Sequence, residues 1–224
     1  MTDTAAVYAD IVNRRKSVRA YKPEPVPADL LDQVFTAALR APSNCNTQPW
    51  QVHVASGAAI EKLRESLPTA FSNMEFSMDF PYDGSYAGVY KERQHAAAMA
   101  LYDVMGIKRE EKDKRAAAML KNFEFFGAPH VAFLFLPEPF GLREAADVGM
   151  YAQSLMLSMV AHGLGCIPQT ALSFHADQVR DALDIDASQK LLFGISFGFE
   201  AEDDPINACH TDRGALSDIV HFHS

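Results

Sequence analysis

Arg14, Arg15, Lys16 and Arg19 place four cations within six residues, gathered around the hydroxyl of Ser17. In a chain whose formal net charge is −9, such a run creates a local field that favours an anion. Guanidinium forks beside a hydroxyl suit phosphate oxygens in particular, because they donate in a fixed bidentate geometry. The same run also suits a solvated basic patch at the end of an N-terminal helix. A second cluster follows in the stretch 41–50, where Ser43, Asn44, Asn46, Thr47 and Gln48 lie between Pro42 and Pro49. Its amides and hydroxyls could grip a polar heterocycle, or could cap the loop's own backbone groups. Cys45 at its centre reads as a small packed thiol or as a substrate contact, and no catalytic role is assigned to it.

These residues need a scaffold, and the hydrophobic periodicity predicts one. Leu30, Leu31, Val34, Phe35, Ala38 and Leu39 recur at helical spacing between Pro27 and Arg40, and Ala41-Pro42 stops that helix. Trp50, Val52 and Val54 alternate with Gln51 and His53 as a strand with one buried face, so 43–48 is a helix-to-strand loop. A helix follows over 58–67. Phe71 to Tyr90 is rich in aromatics with Pro81, Gly84 and Gly88 among them and has no clean period, which predicts an insertion or lid, set at about 68–125. Within that block, helices are predicted at 91–105 and 109–125. The all-apolar run 131–136 predicts a strand buried on both faces. Ala145 to Val160 predicts a long helix ending near Gly163. Gly165–Gln169 then reads as a strand, 176–183 as a helix, 191–199 as a strand, and 203–224 as an irregular tail. Strands separated by helices, with no internal repeat and no linker, imply a single domain over 1–224 of the α+β or α/β class.

The chain is 48% hydrophobic and 22% charged, as a globular core requires. Its acidic balance argues against nucleic acid and anionic membrane as partners, and no apolar stretch reaches the roughly 20 residues of a membrane span. Cys45, Cys166 and Cys209 are odd in number and widely spaced, which indicates neither a disulfide framework nor a zinc site. The histidines show no ligand spacing, so no metal is expected. The N-terminus carries no signal-peptide pattern, and the cytoplasm is the expected compartment.

Taken in order, Arg15-Lys16-Ser17-Val18-Arg19, Ala-Pro-Ser-Asn-Cys-Asn-Thr-Gln-Pro-Trp at 41–50, Gly163-Leu164-Gly165-Cys166-Ile167-Pro168-Gln169, and Asn207 with Arg213 resemble the FMN-dependent nitroreductase superfamily. The resemblance covers nearly the whole chain and is weakest over 68–125. It implies an α+β fold with a central mixed, mostly antiparallel sheet flanked by helices. It also implies a homodimer that exchanges extensions and holds two FMN molecules at its interface. Carried over to these positions, Arg15 and Arg213 neutralise the phosphate with help from Ser17, Lys16 belongs to the same cofactor-binding run, and Arg19 faces the pyrimidine edge of the flavin ring. Pro42, Ser43 and Asn44 reach the flavin from the partner subunit, and Asn46 and Gln48 address ring or ribityl atoms. Pro168, Gln169 and Thr170 lie along the ring, with backbone hydrogen bonds near N5. Lys16 departs mildly from the usual Arg or His.

The activity so implied is ping-pong reduction of a small nitroaromatic or quinone-type acceptor with NADH or NADPH as hydride donor. The cofactor carries the chemistry, so no protein nucleophile is required. Two alternatives share the site. One is reductive dehalogenation of halotyrosine type, although a Glu, Tyr and Lys lid triplet does not align between Phe71 and Arg93. The other is a flavin-binding protein without turnover.

Overall fold

The computed structural model describes residues 3–223, so Met1, Thr2 and Ser224, the last residue of the predicted tail, lie outside the described residues. Helix α1 spans Thr4–Arg14, and the Asp3 carboxylate caps it by accepting from the Ala5 N–H at 3.0 Å. Helix α2 is Ala28–Ala38, entered directly after Pro27. Then come β1 (Gln51–Ser56), α3 (Ala58–Ser72), α4 (Gly88–Val104), α5 (Lys112–Leu120), β2 (His130–Pro137) and α6 (Leu142–Ala161). β3 (Gly165–Gln169), α7 (Ala176–Leu183) and β4 (Gln189–Gly198) complete the set, with short 3-10 turns between them and in the tail.

The four strands form one sheet in the order β1-β2-β4-β3, and every named pairing is antiparallel. The mixed character expected of the sheet is confined to one parallel bridge, Ser17 to Cys166, which adds the basic run to the free side of β3. β2 lies at the centre and is buried over 130–136, as its unbroken apolar run predicts. Because strand side chains alternate, Ala132, Leu134 and Leu136 pack on one face against α2 and α6, while Val131, Phe133 and Phe135 pack on the other against α3, α7 and the Phe123–Phe125 turn. Gly194 of β4 is required here, since a Cβ would stand 2.5 Å from the Leu172 side chain.

Three departures from the sequence reading have simple causes. In β1 the expected face holds for Trp50 and Val52, but Val54 is 41% exposed and Ala55 is buried instead. β1 is an edge strand, so the layer formed by α2 and α6 does not extend over its far end. Helix α3 continues through Pro68 to Ser72, with Ala70 buried and Phe71 against Phe123, so the irregular stretch begins at Asn73. The single helix predicted over 109–125 is only Lys112–Leu120, because Phe125 and Phe126 adopt left-handed backbone angles (φ 56° and 52°) that turn Phe125 fully into the core. No helix among the described residues is long and apolar enough to cross a membrane.

Candidate functional site

The basic run leaves α1 at Arg14 and becomes extended, with Arg15 at φ −63°, ψ 112°. Val18 donates its N–H to the Cys166 carbonyl at 3.1 Å, and its side chain packs where Gly165 has none: a Cβ there would lie 2.8 Å from it. Gly165 therefore lets the run dock on β3. In an extended segment successive side chains point to opposite sides, so burying Val18 puts Arg15, Ser17 and Arg19 together on the other side. Lys16 follows Val18: its ammonium pairs with Glu200 at 2.8 Å and donates to the Asn207 carbonyl at 2.9 Å. Its charge is thus largely matched within the chain.

Arg15, Ser17 and Arg19 line a cleft of about 560 Å³ together with Gln153, Cys209 and Arg213. The stem of Lys16 borders it as well. The tail reaches this place through Asn207, which is 2% exposed. Its Oδ1 accepts from the Arg19 and Ala20 N–H groups at 2.7 and 3.2 Å, and its Nδ2 donates to the carbonyls of Ala20 and Ala201 at 2.9 and 3.0 Å. Every hydrogen-bonding position of the amide is occupied, so one buried side chain holds the tail to the basic run and brings Arg213 to it. Asn207 was legible as part of a motif, yet nothing in the sequence assigned it this task. Asp204 gave a weaker cue, as it caps the turn Pro205–Ala208 by accepting from Ile206 N–H at 3.0 Å.

Among the described residues, Arg15, Arg19 and Arg213 take part in no ion pair. Burial lowers the Arg19 pKa, with Cys209 and Tyr21 opposing that shift. Its Nη1 donates to the Ser17 carbonyl at 3.2 Å. Arg213 is exposed and uses its Nη1 on Thr211 and the Asp212 carbonyl, leaving its other donors outward. Three guanidiniums without an ion-pair partner among the described residues, together with a hydroxyl, line one cleft, a donor set that suits an anion.

The other predicted groups lie elsewhere in this chain. In the loop 42–48, Cys45, Asn46 and Gln48 all have positive φ (50°, 57° and 49°), which costs non-glycine residues on the order of 1 kcal/mol or more each. The Ser43 hydroxyl accepts from the Gln48 N–H at 3.0 Å, and the Gln48 side chain donates to the Asn46 carbonyl at 3.2 Å. The side chains of Asn44, Cys45 and Asn46 are exposed, and Pro42 also faces out. None of these residues lines the cleft of Arg15. Pro168 and Thr170 are exposed at the end of β3, whereas the Gln169 side chain is buried between the Asn122 carbonyl, at 2.9 Å, and the Ser196 hydroxyl. Gln169 therefore has only its backbone to offer a ligand. The structure thus assembles Arg15, Lys16, Ser17, Arg19 and Arg213 and leaves the 42–48 and 168–170 groups as separate exposed edges.

Residues 12–199 match the family model described as the nitroreductase family. The chain is 42% identical to nitroreductase NfnB of Mycolicibacterium smegmatis, over 98% of this chain and 94% of that one. It is 30% identical to a 4-nitrobenzoate reductase of Pseudomonas putida, over 95% and 93% respectively. Its structure superposes on the crystal structure of the FMN-dependent nitroreductase NfnB from Mycobacterium smegmatis in complex with NADPH with a TM-score of 0.94, covering 98% of this chain and all of that one (100%). With a fold, a sequence and a family match that agree over nearly its whole length, this chain belongs to the nitroreductase family.

Proposed function

We propose that this chain is an FMN-dependent oxidoreductase that uses NADPH or NADH to reduce nitroaromatic or quinone-type acceptors. The observation that carries the reading is the convergence of Arg15, Ser17 and Arg19 with Arg213, nearly two hundred residues apart, on one cleft of about 560 Å³. That volume falls within the roughly 300–1,000 Å³ of small-molecule and cofactor clefts. The donor set fits a flavin phosphate: a doubly charged anion removed from water needs more than one cation, and bidentate guanidiniums serve best. When bound, FMN supplies reversible two-electron chemistry, so that nicotinamide and acceptor react in turn at one ring.

The chain's own residues would bind and orient. Arg15 and Arg213 hold the phosphate, Ser17 adds a hydrogen bond, and Lys16, matched to Glu200, fixes the run beside them. Arg19, with its surroundings already partly desolvated, stabilises negative charge on the pyrimidine edge. The backbone at Pro168, Gln169 and Thr170 flanks the ring. Pro42, Ser43, Asn44, Asn46 and Gln48 serve the flavin of a partner subunit, in a homodimer that also covers the exposed helices α1 and α4. The Ser43 hydroxyl accepts from the Gln48 N–H, which leaves its O–H free to donate. The aromatic stretch after Asn73 is the acceptor-side lid. All three cysteines are free, in keeping with a reducing cytoplasm.

Purified protein should take up FMN in calorimetry. In stopped flow, NADPH or NADH should bleach the bound flavin and a nitroaromatic or quinone should restore its absorbance. A folded chain that binds no FMN removes the reading, and flavin that NAD(P)H never bleaches leaves only the binding protein without turnover. The dehalogenase alternative gains nothing from the lid: the Glu75 carboxylate accepts from Asn73 at 3.0 Å, and its carbonyl is held by His175 at 2.9 Å.

A further inference from the structure

Asp147 is a carboxylate 4% exposed in the second turn of α6, and it belongs to none of the ion pairs among the described residues. A buried carboxylate away from any cation relies on hydrogen-bond donors to satisfy its oxygens, so the donor it meets shows what it holds. Its side chain is tied to the strained loop: Oδ2 accepts from the Asn44 N–H at 3.0 Å. One helical turn further along α6, on the same face, Tyr151 stacks on Trp50 with ring centroids 5.0 Å apart and an interplanar angle of 20°. The two ends of the loop are therefore both fastened to α6, by a charged hydrogen bond at Asn44 and by aromatic stacking at Trp50. Between those points lie Cys45, Asn46 and Gln48 with their left-handed backbone, and with side chains turned out to solvent.

We infer that Asp147 is a positioning residue for the cofactor, holding the 43–48 loop in the shape that it presents to the flavin. This role rests on the reading of that loop as a flavin-contacting element. Asp147 itself touches neither flavin nor substrate. It acts through the Asn44 amide, which it keeps from relaxing the left-handed turn that follows. The aromatic fastening at Trp50 is non-directional and tolerates rotation, whereas the 3.0 Å hydrogen bond to the carboxylate fixes one N–H direction. The orientation of the loop therefore depends more on Asp147 than on Tyr151.

The test compares full-length D147A, D147N and E144A with the wild type. Glu144 accepts from the Gly141 N–H at 3.0 Å at the start of α6, so E144A removes a helix cap without touching the loop and serves as the structural control. Each variant is measured for FMN dissociation constant by flavin fluorescence, for kcat and KM, and for apo-protein Tm. D147A is expected to weaken FMN binding on the order of tenfold, the loss typical of a charged hydrogen bond. D147N keeps an acceptor oxygen for Asn44 and is expected to stay within about threefold of wild type, while E144A lowers Tm and leaves FMN affinity unchanged. The inference is overturned if D147A binds FMN as the wild type does. It is also overturned if D147N is as impaired as D147A, or if E144A loses FMN affinity in step with its Tm as D147A does. A wild type that binds no FMN removes the underlying flavin reading, whereas a wild type and D147A that bind it equally remove only the role of Asp147.

Discussion

The cleft of Arg15, Ser17, Arg19 and Arg213 and the aromatic stretch from Asn73 to Val104 hold their accessible side chains in different ways. In the cleft, Arg15, Ser17 and Arg19 are carried by backbone that something else fixes: Val18 packs against Gly165, and the fully bonded amide of Asn207 joins the tail to the run. In the aromatic stretch only the first few residues are secured. Ser77 donates its N–H to the Phe174 carbonyl at 2.9 Å, and Asp79 accepts from Arg180 at 2.6 Å and from the Leu191 N–H at 2.7 Å. Beyond Asp79 the support thins to the stacking of Tyr82 on Phe174, with ring centroids 6.0 Å apart, and the approach of Arg93 to Gly214. Tyr86 and Tyr90 are 46% and 65% exposed, and α4 contains no buried residue at all. A charged cofactor group needs donors placed beforehand, because reorganising them at each binding event would forfeit affinity. A surface that meets varied flat aromatics gains from exposed rings whose final packing comes from the ligand or from a second chain.

The sharpest way to break this contrast is at the buried ion pair of Arg180 with Asp79. Arg180 and Asp79 have side chains 9% and 8% exposed, so Arg180→Met strands a buried carboxylate and should cost about 3–5 kcal/mol of stability. Chemical denaturation reads this, and an unchanged midpoint would show that the aromatic stretch has no fixed root. Next, Asn207→Leu leaves the N–H groups of Arg19 and Ala20 without their acceptor, which should cost about 2–4 kcal/mol and loosen FMN binding with it. Retained FMN affinity in a destabilised protein would separate the clamp from the site. Arg15→Ala and Arg213→Ala should each weaken FMN binding by about 1.5–3 kcal/mol in calorimetry, with Arg213 at the lower end because it is exposed.

A pH effect of smaller size follows from His130, which is 3% exposed. Its Nε2 accepts from the Val26 N–H at 2.8 Å, so the neutral ring carries its proton on Nδ1 and donates to Ser56. An imidazolium could not accept that bond, and burial lowers the His130 pKa. The unfolded chain then binds the proton first: stability is complete above the unfolded value near about 6.5 and falls as pH drops through the lowered folded value. Tm should therefore decline from pH 7.5 to pH 5, and His130→Gln should flatten that decline. The smallest effect belongs to the exposed stretch. Tyr86→Phe removes a 3.4 Å contact with the Tyr82 hydroxyl and should shift stability by less than about 0.5 kcal/mol, while KM for an aromatic acceptor changes if this stretch is the lid.

Much of the scaffold could be read in the residues themselves. The run 131–136 announced a fully buried strand because nothing polar interrupts it, and 176–183 announced α7 through its spacing. Local pattern failed where a distant partner decides the outcome. The turn of Phe125 into the core and the exposure of Val54 at the sheet edge each depend on what packs, or fails to pack, from elsewhere in the chain. The site divides in the same way. Arg15, Ser17 and Arg19 are cations and a hydroxyl at alternate positions, visible as soon as the segment is taken as extended.

Residue type and order alone determined that this chain carries a basic run, an Asn- and Gln-rich loop and the signature of its family, because charge and hydrogen-bonding capacity are properties of the residues. The tertiary structure decided which of them act together. It matched Lys16 to Glu200 at the border of the cleft, enclosed the Gln169 side chain, and gave Asn207 and Asp147 their holding tasks. Those outcomes rest on direction and distance between residues as far apart as 19 and 207, and such geometry arises only when the strands pair and the helices close over them.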